Sequence, residues 1–508
     1  MKKFYFLILL ILLLAIAWLV LVVPPNMDEA IKYHRLACWA FDGSRFNLFQ
    51  DGCDKYSSTF LGISFHRNYQ YMGILSNFLY APFYYIWPSI YSHYLLGFLS
   101  LLLFSYLLVR ALQLPLKSIF IPMLYFPILF LMIHDHGPIN LSLLTYPVLI
   151  LVTSIFINKK VINFQVYILL FIASVTTIIG MDEKIFYLYL LPHILIISLA
   201  LSFRDQTIGI TKFSINGATR KMLSRFVILS GMLGLTALGF LIAIKTDGNT
   251  YLAYAMEIKK IQAREGPISI SNVLESMLNF FTAPYAYPHR IFYLSSQFTL
   301  LSQLTFAPLL FIVTFYIWHG RKKIAVVGLV ISDLVLICIF LLTKNTWASH
   351  HFIFLQIPIL ILLMYFSNES VKKYFIIIIL LIINLSINIY LLSNSSIQDH
   401  TRLSKNGMFS FLSEVEVAKN SVINFSSFGG FFLQSLYGSK DQIVTSKDLV
   451  NINSGLPLIT SVKNSSRTYL LNACENCDLK KMESIFPGLK IELVGPQDPS
   501  WRIWQVTP

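Results

Sequence analysis

Two adjacent carboxylates, Asp28 and Glu29, follow the first apolar run of this chain, just past Pro24-Pro25. Pro24-Pro25 stops a helix there, so Asp28 falls at the level of lipid headgroups. A carboxylate held at that depth can act as a base on a water-soluble acceptor while it faces a lipid-borne donor. The plainer alternative is an acidic cap favoured by the dipole of the following helix. Other charged groups also gather at the ends of apolar runs: His134, Asp135 and His136, then Asp182, Glu183 and Lys184, then Arg290, then His350 and His351. Lys184, Arg290 and the histidines can bind a phosphate. The carboxylates can accept hydrogen bonds from sugar hydroxyls, hold a divalent ion or act as further bases. Together they suit a glycosyl phosphate, which needs an anion clamp at one end and hydroxyl acceptors at the other.

The elements that must position these groups are membrane helices. Of the 508 residues, 56% are apolar and 13% charged, about half the charged share of soluble domains. Mean hydropathy is +0.65. A soluble globular enzyme is excluded for want of polar surface, and the 15% aromatic content excludes a disordered chain. Eleven apolar runs lie near 1–23, 92–112, 118–133, 138–157, 161–180, 185–203, 226–244, 301–318, 324–342, 350–367 and 373–392. Their length suits bilayer spans. The expected fold class is a polytopic α-helical membrane protein of about eleven transmembrane helices, N-terminus inside and C-terminus outside.

Charge supports that threading. The connections placed inside carry 16 basic residues, among them Lys2, Lys3, Arg110, Lys159, Arg220 and Arg321, against Asp205 and Glu369. This is the positive-inside bias. It accounts for most of the net charge of +14 and leaves a nucleic-acid partner little to explain. The segment 73–90, interrupted by Pro82 and Pro88, is read as an interfacial helix on the outer face. Counting it as a span would invert every later helix.

Two domains are expected. Residues 1–393 form the transmembrane domain, with outer loops at 24–91 and 245–300. Residues 394–508 form a small extracytoplasmic α/β domain. Its strands are read at Ser421–Ser426, Gln442–Thr445, Leu458–Val462, Thr468–Asn472, Lys490–Val494 and Arg502–Val506, with a helix at Leu479–Ile485. Cys38, Cys53, Cys474 and Cys477 fall in outer segments as two local pairs, suggesting disulfides Cys38–Cys53 and Cys474–Cys477. A redox or zinc role for the Cys474–Cys477 pair is the alternative. Asp333 stands in mid-span, where it is expected to be buried and paired or protonated.

With these residues assembled, the chain resembles the GT-C membrane glycosyltransferases. It looks most like the branch of protein O-mannosyltransferases and aminoarabinose-lipid A transferases. The matching positions are Asp28-Glu29 ahead of Tyr33 and Arg35, Asp135 at the end of the third run, Gly180 through Lys184, and His350-His351-Phe352 running to Pro358. The chain departs from the branch at Asn68-Tyr69-Gln70-Tyr71 and in carrying His-His for a late Arg-Tyr. The resemblance implies a polyprenyl-phosphate sugar as donor co-substrate, no cofactor and no metal. Asp28 would deprotonate a hydroxyl of a glycan, lipid or protein acceptor, which attacks the sugar C1 with inversion. Lys184 or Arg290 would stabilise the departing polyprenyl phosphate. The implied location is a bacterial inner membrane, the site facing the periplasm or exterior and membrane lipids surrounding it. No Gly-rich nucleotide loop is present. A transporter or flippase of lipid-linked glycans, or an assembly factor for surface polysaccharide, is the competing class.

Overall fold

The computed structural model describes residues 2–22, 57–60, 63–66, 75–87, 90–134, 139–158, 164–184, 186–203, 217–246, 296–342, 349–394, 421–426, 443–446, 467–471, 479–485, 487–493 and 503–507. Each apolar run of the sequence is largely helical over its described residues. The long helices are α1 (Lys2–Val22), α3 (Ile90–Ala111), α6 (Asn140–Asn158), α7 (Phe164–Glu183), α9 (Gly217–Thr246), α10 (Ser296–Gly320), α11 (Ile324–Leu342) and α13 (Val371–Asn394). Between them lie the shorter α2 (Leu75–Ile86), α4 (Phe120–Leu124), α5 (Phe126–His134), α8 (Tyr187–Ser202) and α12 (Gln356–Asn368). Among the described residues, seven helices are long and apolar enough to cross a membrane, and Leu116–Leu124, which ends in α4, makes an eighth with α5 if counted as one broken span. Three shorter apolar helices lie at 187–202, 304–320 and 352–368.

Large apolar side chains cover the outside of these helices. Phe6, Leu14 and Leu21 on α1 and Phe311 and Trp318 on α10 are all mostly exposed. In water so broad an apolar surface would drive association; in a bilayer it faces acyl chains. The chain is an integral membrane protein.

Small residues let the helices approach. A Cβ added at Gly97 on α3 would stand 2.3 Å from the Met132 carbonyl oxygen of α5. One added at Gly328 on α11 would stand 2.4 Å from Ala200 Cβ on α8. Close backbone contact through small residues is the usual way membrane helices gain packing energy, because burial from lipid supplies no hydrophobic drive.

Two runs differ in detail from the sequence reading, and the segment 73–90 is a short helix as read. The run at 118–133 is not one helix: it bends by 75° between α4 and α5. Tyr125 at the joint has extended backbone, φ −73° and ψ 99°. Pro127 explains the break, since its ring would clash with the carbonyl four residues earlier in a continuous helix. The run at 350–367 begins as a 3-10 helix, Ser349–Leu355, before α12. The segment 73–90 forms α2, only 12 residues long, about 18 Å at 1.5 Å per residue. That is too short to span hydrocarbon about 30 Å thick.

Beyond α13 the described elements are strands β3 (Ser421–Ser426), β4 (Ile443–Ser446), β5 (Arg467–Leu471), β6 (Lys490–Leu493) and β7 (Ile503–Thr507), with α14 (Leu479–Ile485) between β5 and β6. They form one sheet in the order β4-β3-β5-β7-β6. β3 runs parallel to β4 and β5, and β7 antiparallel to β5 and β6. The strand read at 458–462 lies outside the described residues. A two-stranded hairpin, β1 (Ser57–Phe60) and β2 (Ile63–His66), precedes α2.

Candidate active site

The end of α7 organises the polar region. Glu183 is buried and accepts three hydrogen bonds from the first turn of α6. The Leu141 N–H donates to Oε1 at 3.0 Å, the Ser142 N–H to Oε2 at 2.5 Å, and the Ser142 hydroxyl to Oε2 at 2.7 Å. These amides have no partner within their own helix, and the carboxylate also sits on the positive end of the helix dipole. Asp182, one residue earlier, does the same for α2: the Leu75 N–H donates to its Oδ2 at 2.7 Å. Adjacent carboxylates thus join two helix starts to one helix end.

This geometry differs from the sequence reading, which assigned both carboxylates to the substrate. Both oxygens of Glu183 are engaged by α6, so its observed task is to position that helix. Lys184 is buried too, at 7% exposure. Its carbonyl accepts the Tyr187 N–H at 2.8 Å, which closes the turn into α8. Gly180 is required here: a Cβ at this position would lie 2.6 Å from the Tyr187 ring. Gly180→Ala should therefore lower stability by about 1–3 kcal/mol, the usual range for overpacking. Thermal unfolding in detergent checks this, and a Gly180→Ala/Tyr187→Leu double variant should recover most of the loss.

From α6 the polar layer continues toward α2, α3 and α5. Asn140 is fully buried; its amide donates to the Met132 carbonyl at 2.9 Å and lies 3.4 Å from the Tyr80 hydroxyl. Tyr80 lies against His93, with ring centroids 5.3 Å apart. His134 is 1% exposed. Its ring is edge-on to Tyr94 at 5.1 Å and stacked on Phe130 at 5.1 Å. The sequence reading gave it to phosphate binding; the structure encloses it among aromatic rings, because α5 ends inside the bundle.

The 3-10 segment that carries His350 and His351 abuts this layer. Phe354 stacks on Tyr146 of α6 at 5.2 Å and meets Phe186, beside the Lys184 turn, at 5.7 Å. Of the predicted site residues, Asp28, Glu29, Asp135, His136 and Arg290 lie outside the described residues, as do Cys38, Cys53, Cys474 and Cys477. Among the described residues no group of three His, Cys, Asp or Glu side chains is placed to hold a metal ion.

Sequence reasoning missed Tyr80, His93, Asn140, Ser142 and His193. Each is polar within an apolar run, where ionisable or amide groups mark a buried network. Asn140, two residues after Pro138 at a helix start, was the clearest signal.

No protein-family model matches this chain, and no curated protein matches it. Solved structures do. ArnT from Cupriavidus metallidurans, bound to undecaprenyl phosphate, superposes with a TM-score of 0.54 at 10% identity, over 99% of this chain and 98% of that one. The fold is GT-C. The same ArnT in the apo state gives a TM-score of 0.52, again at 10% identity and over 99% and 98% of the two chains. The likeness extends over nearly the full length of both chains.

Proposed function

We propose that this protein is an inverting glycosyltransferase that moves a sugar from a polyprenyl phosphate to a hydroxyl acceptor. The observation that carries this reading is the end-to-end likeness to ArnT in the structure that holds undecaprenyl phosphate. It is supported by the buried polar layer at the α7–α8 turn, which meets the segment bearing His350 and His351. Asp28 is the base, with Glu29 beside it. Lys184, Arg290, His136, His350 and His351 stabilise the leaving phosphate. Asp135 accepts from sugar hydroxyls. The acceptor is a glycan, lipid or protein hydroxyl. No cofactor is needed beyond the lipid-linked donor.

The reading includes eleven spans, a transmembrane domain at 1–393, and a C-terminal domain at 394–508 outside a bacterial inner membrane. The disulfides Cys38–Cys53 and Cys474–Cys477 belong to the same outer face. An epitope at the C-terminus should then be cleaved by protease added to intact spheroplasts, whereas one at the N-terminus should survive until lysis. Protection of both tags would overturn the threading.

The deciding experiment incubates purified protein with a panel of polyprenyl-phosphate sugars and a membrane extract as acceptor. Released polyprenyl phosphate and a glycosylated product are expected. Flipping of the donor in proteoliposomes without its cleavage would instead establish a transporter.

A further inference from the structure

We infer that Tyr146, His193 and Asp333 form a positioning relay that holds the Ser349–Leu355 segment, with its His350-His351 pair, against the reaction site; this rests on the transferase reading above. The three side chains come from α6, α8 and α11. The Tyr146 hydroxyl lies 3.0 Å from His193 Nδ1, and His193 Nε2 lies 3.3 Å from Asp333 Oδ1. His193 is fully buried. Tyr146 and His193 each stand six residues into their helices, about 9 Å along the axis. At such depth each unpaired polar group would be costly. The three satisfy one another in series. An oxygen acceptor at 333 takes the Nε2–H, which leaves Nδ1 to accept from Tyr146.

The relay ties together the surfaces on which the 3-10 segment rests. Phe354 stacks on Tyr146 and meets Phe186 at the head of α8. Phe352 meets Phe340 edge-on at 5.2 Å, two turns along α11 from Asp333. A 3-10 helix of seven residues is long for that geometry, since runs beyond three or four residues are uncommon. Its shape must come from what it lies on. Losing the relay should loosen α6 against α8 and α11, and so the placement of His350 and His351.

The test uses the full chain with Tyr146→Phe, Asp333→Leu and Asp333→Asn. Tyr146→Phe keeps the ring that stacks on Phe354 and removes only the hydroxyl; Asp333→Asn keeps an oxygen acceptor. Each variant is read by kcat, donor KM, thermal midpoint and amide exchange across 349–355. Tyr146→Phe and Asp333→Leu should lower kcat about tenfold, the worth of one hydrogen bond of about 1.4 kcal/mol. Donor KM should stay within about twofold, and exchange in 349–355 should rise by a similar tenfold factor. Asp333→Asn should remain near wild type in both. Exchange unchanged in Tyr146→Phe, kcat tracking only the folded fraction, or Asp333→Asn as damaged as Asp333→Leu would overturn the relay. Should Asp333→Leu not fold, Tyr146→Phe decides alone. If the wild type consumes no donor, the transferase reading fails and the exchange measurement still decides the relay.

Discussion

Asp28→Asn should lower polyprenyl phosphate release about a thousandfold, within the range that a positioned general base contributes. The substitution is nearly isosteric and keeps an oxygen that can orient a hydroxyl, but it cannot take the proton as the acceptor attacks. Donor binding depends on the phosphate and the lipid tail, so donor KM should change little and the loss should fall on kcat. Glu29→Gln is the companion variant, expected to retain more activity because the neighbouring carboxylate remains. The readout is chromatographic separation of polyprenyl phosphate from its glycosylated form, with the thermal midpoint confirming that each variant folds. Full turnover in Asp28→Asn alongside loss in Glu29→Gln would move the base by one residue. Full turnover in both would remove the acidic pair from the chemistry.

Glu183→Ala should give the largest loss of stability. Its carboxylate accepts from two backbone amides and a hydroxyl at the start of α6. Removing it leaves two N–H groups without an acceptor in a buried place, at about 1–3 kcal/mol each. The Ser142 hydroxyl can rotate toward another acceptor, so it adds little. The expected destabilisation is about 2–6 kcal/mol, read as a lowered thermal midpoint and faster exchange in the first turn of α6. Glu183→Gln keeps one acceptor oxygen and should lose roughly half as much. Glu183→Asp retains the charge but falls a methylene short, so it should resemble the Ala variant. A Glu183→Ala protein as stable as wild type, with donor KM sharply raised, would return this residue to the substrate.

The same residue shows where sequence reasoning stops. Composition and run length were enough for a helical membrane bundle, because only long apolar helices can span a bilayer without leaving backbone groups unpaired. Each of the eleven runs is largely helical over its described residues. The seven-residue helix at Leu479–Ile485 and the strand at Ser421–Ser426 have the boundaries read from the sequence, because local alternation and turn residues mark them. The exclusion of 73–90 as a span also came from the chain alone, because a span there would invert every later helix against the positive-inside bias.

Glu183, in contrast, looked like a substrate ligand because it ends an apolar run next to a lysine. Its partners, Leu141 and Ser142, are about forty residues away in sequence, and backbone amides have no signature in a residue string. His193 looked like part of an apolar span, and Asp333 was expected to be buried and paired or protonated, but with no partner named. They pair across 140 residues only because Gly328 and Ala200 let α8 and α11 come close. The bend at Tyr125 and the 3-10 start of the 350–367 run are likewise products of packing. What the sequence determined by itself was therefore which segments are helices and which residue types sit at their ends. Which of those groups meet, and whether a buried carboxylate holds a helix or faces a substrate, was decided only by tertiary structure, because pairing energy inside a membrane depends on distances that apolar runs do not encode.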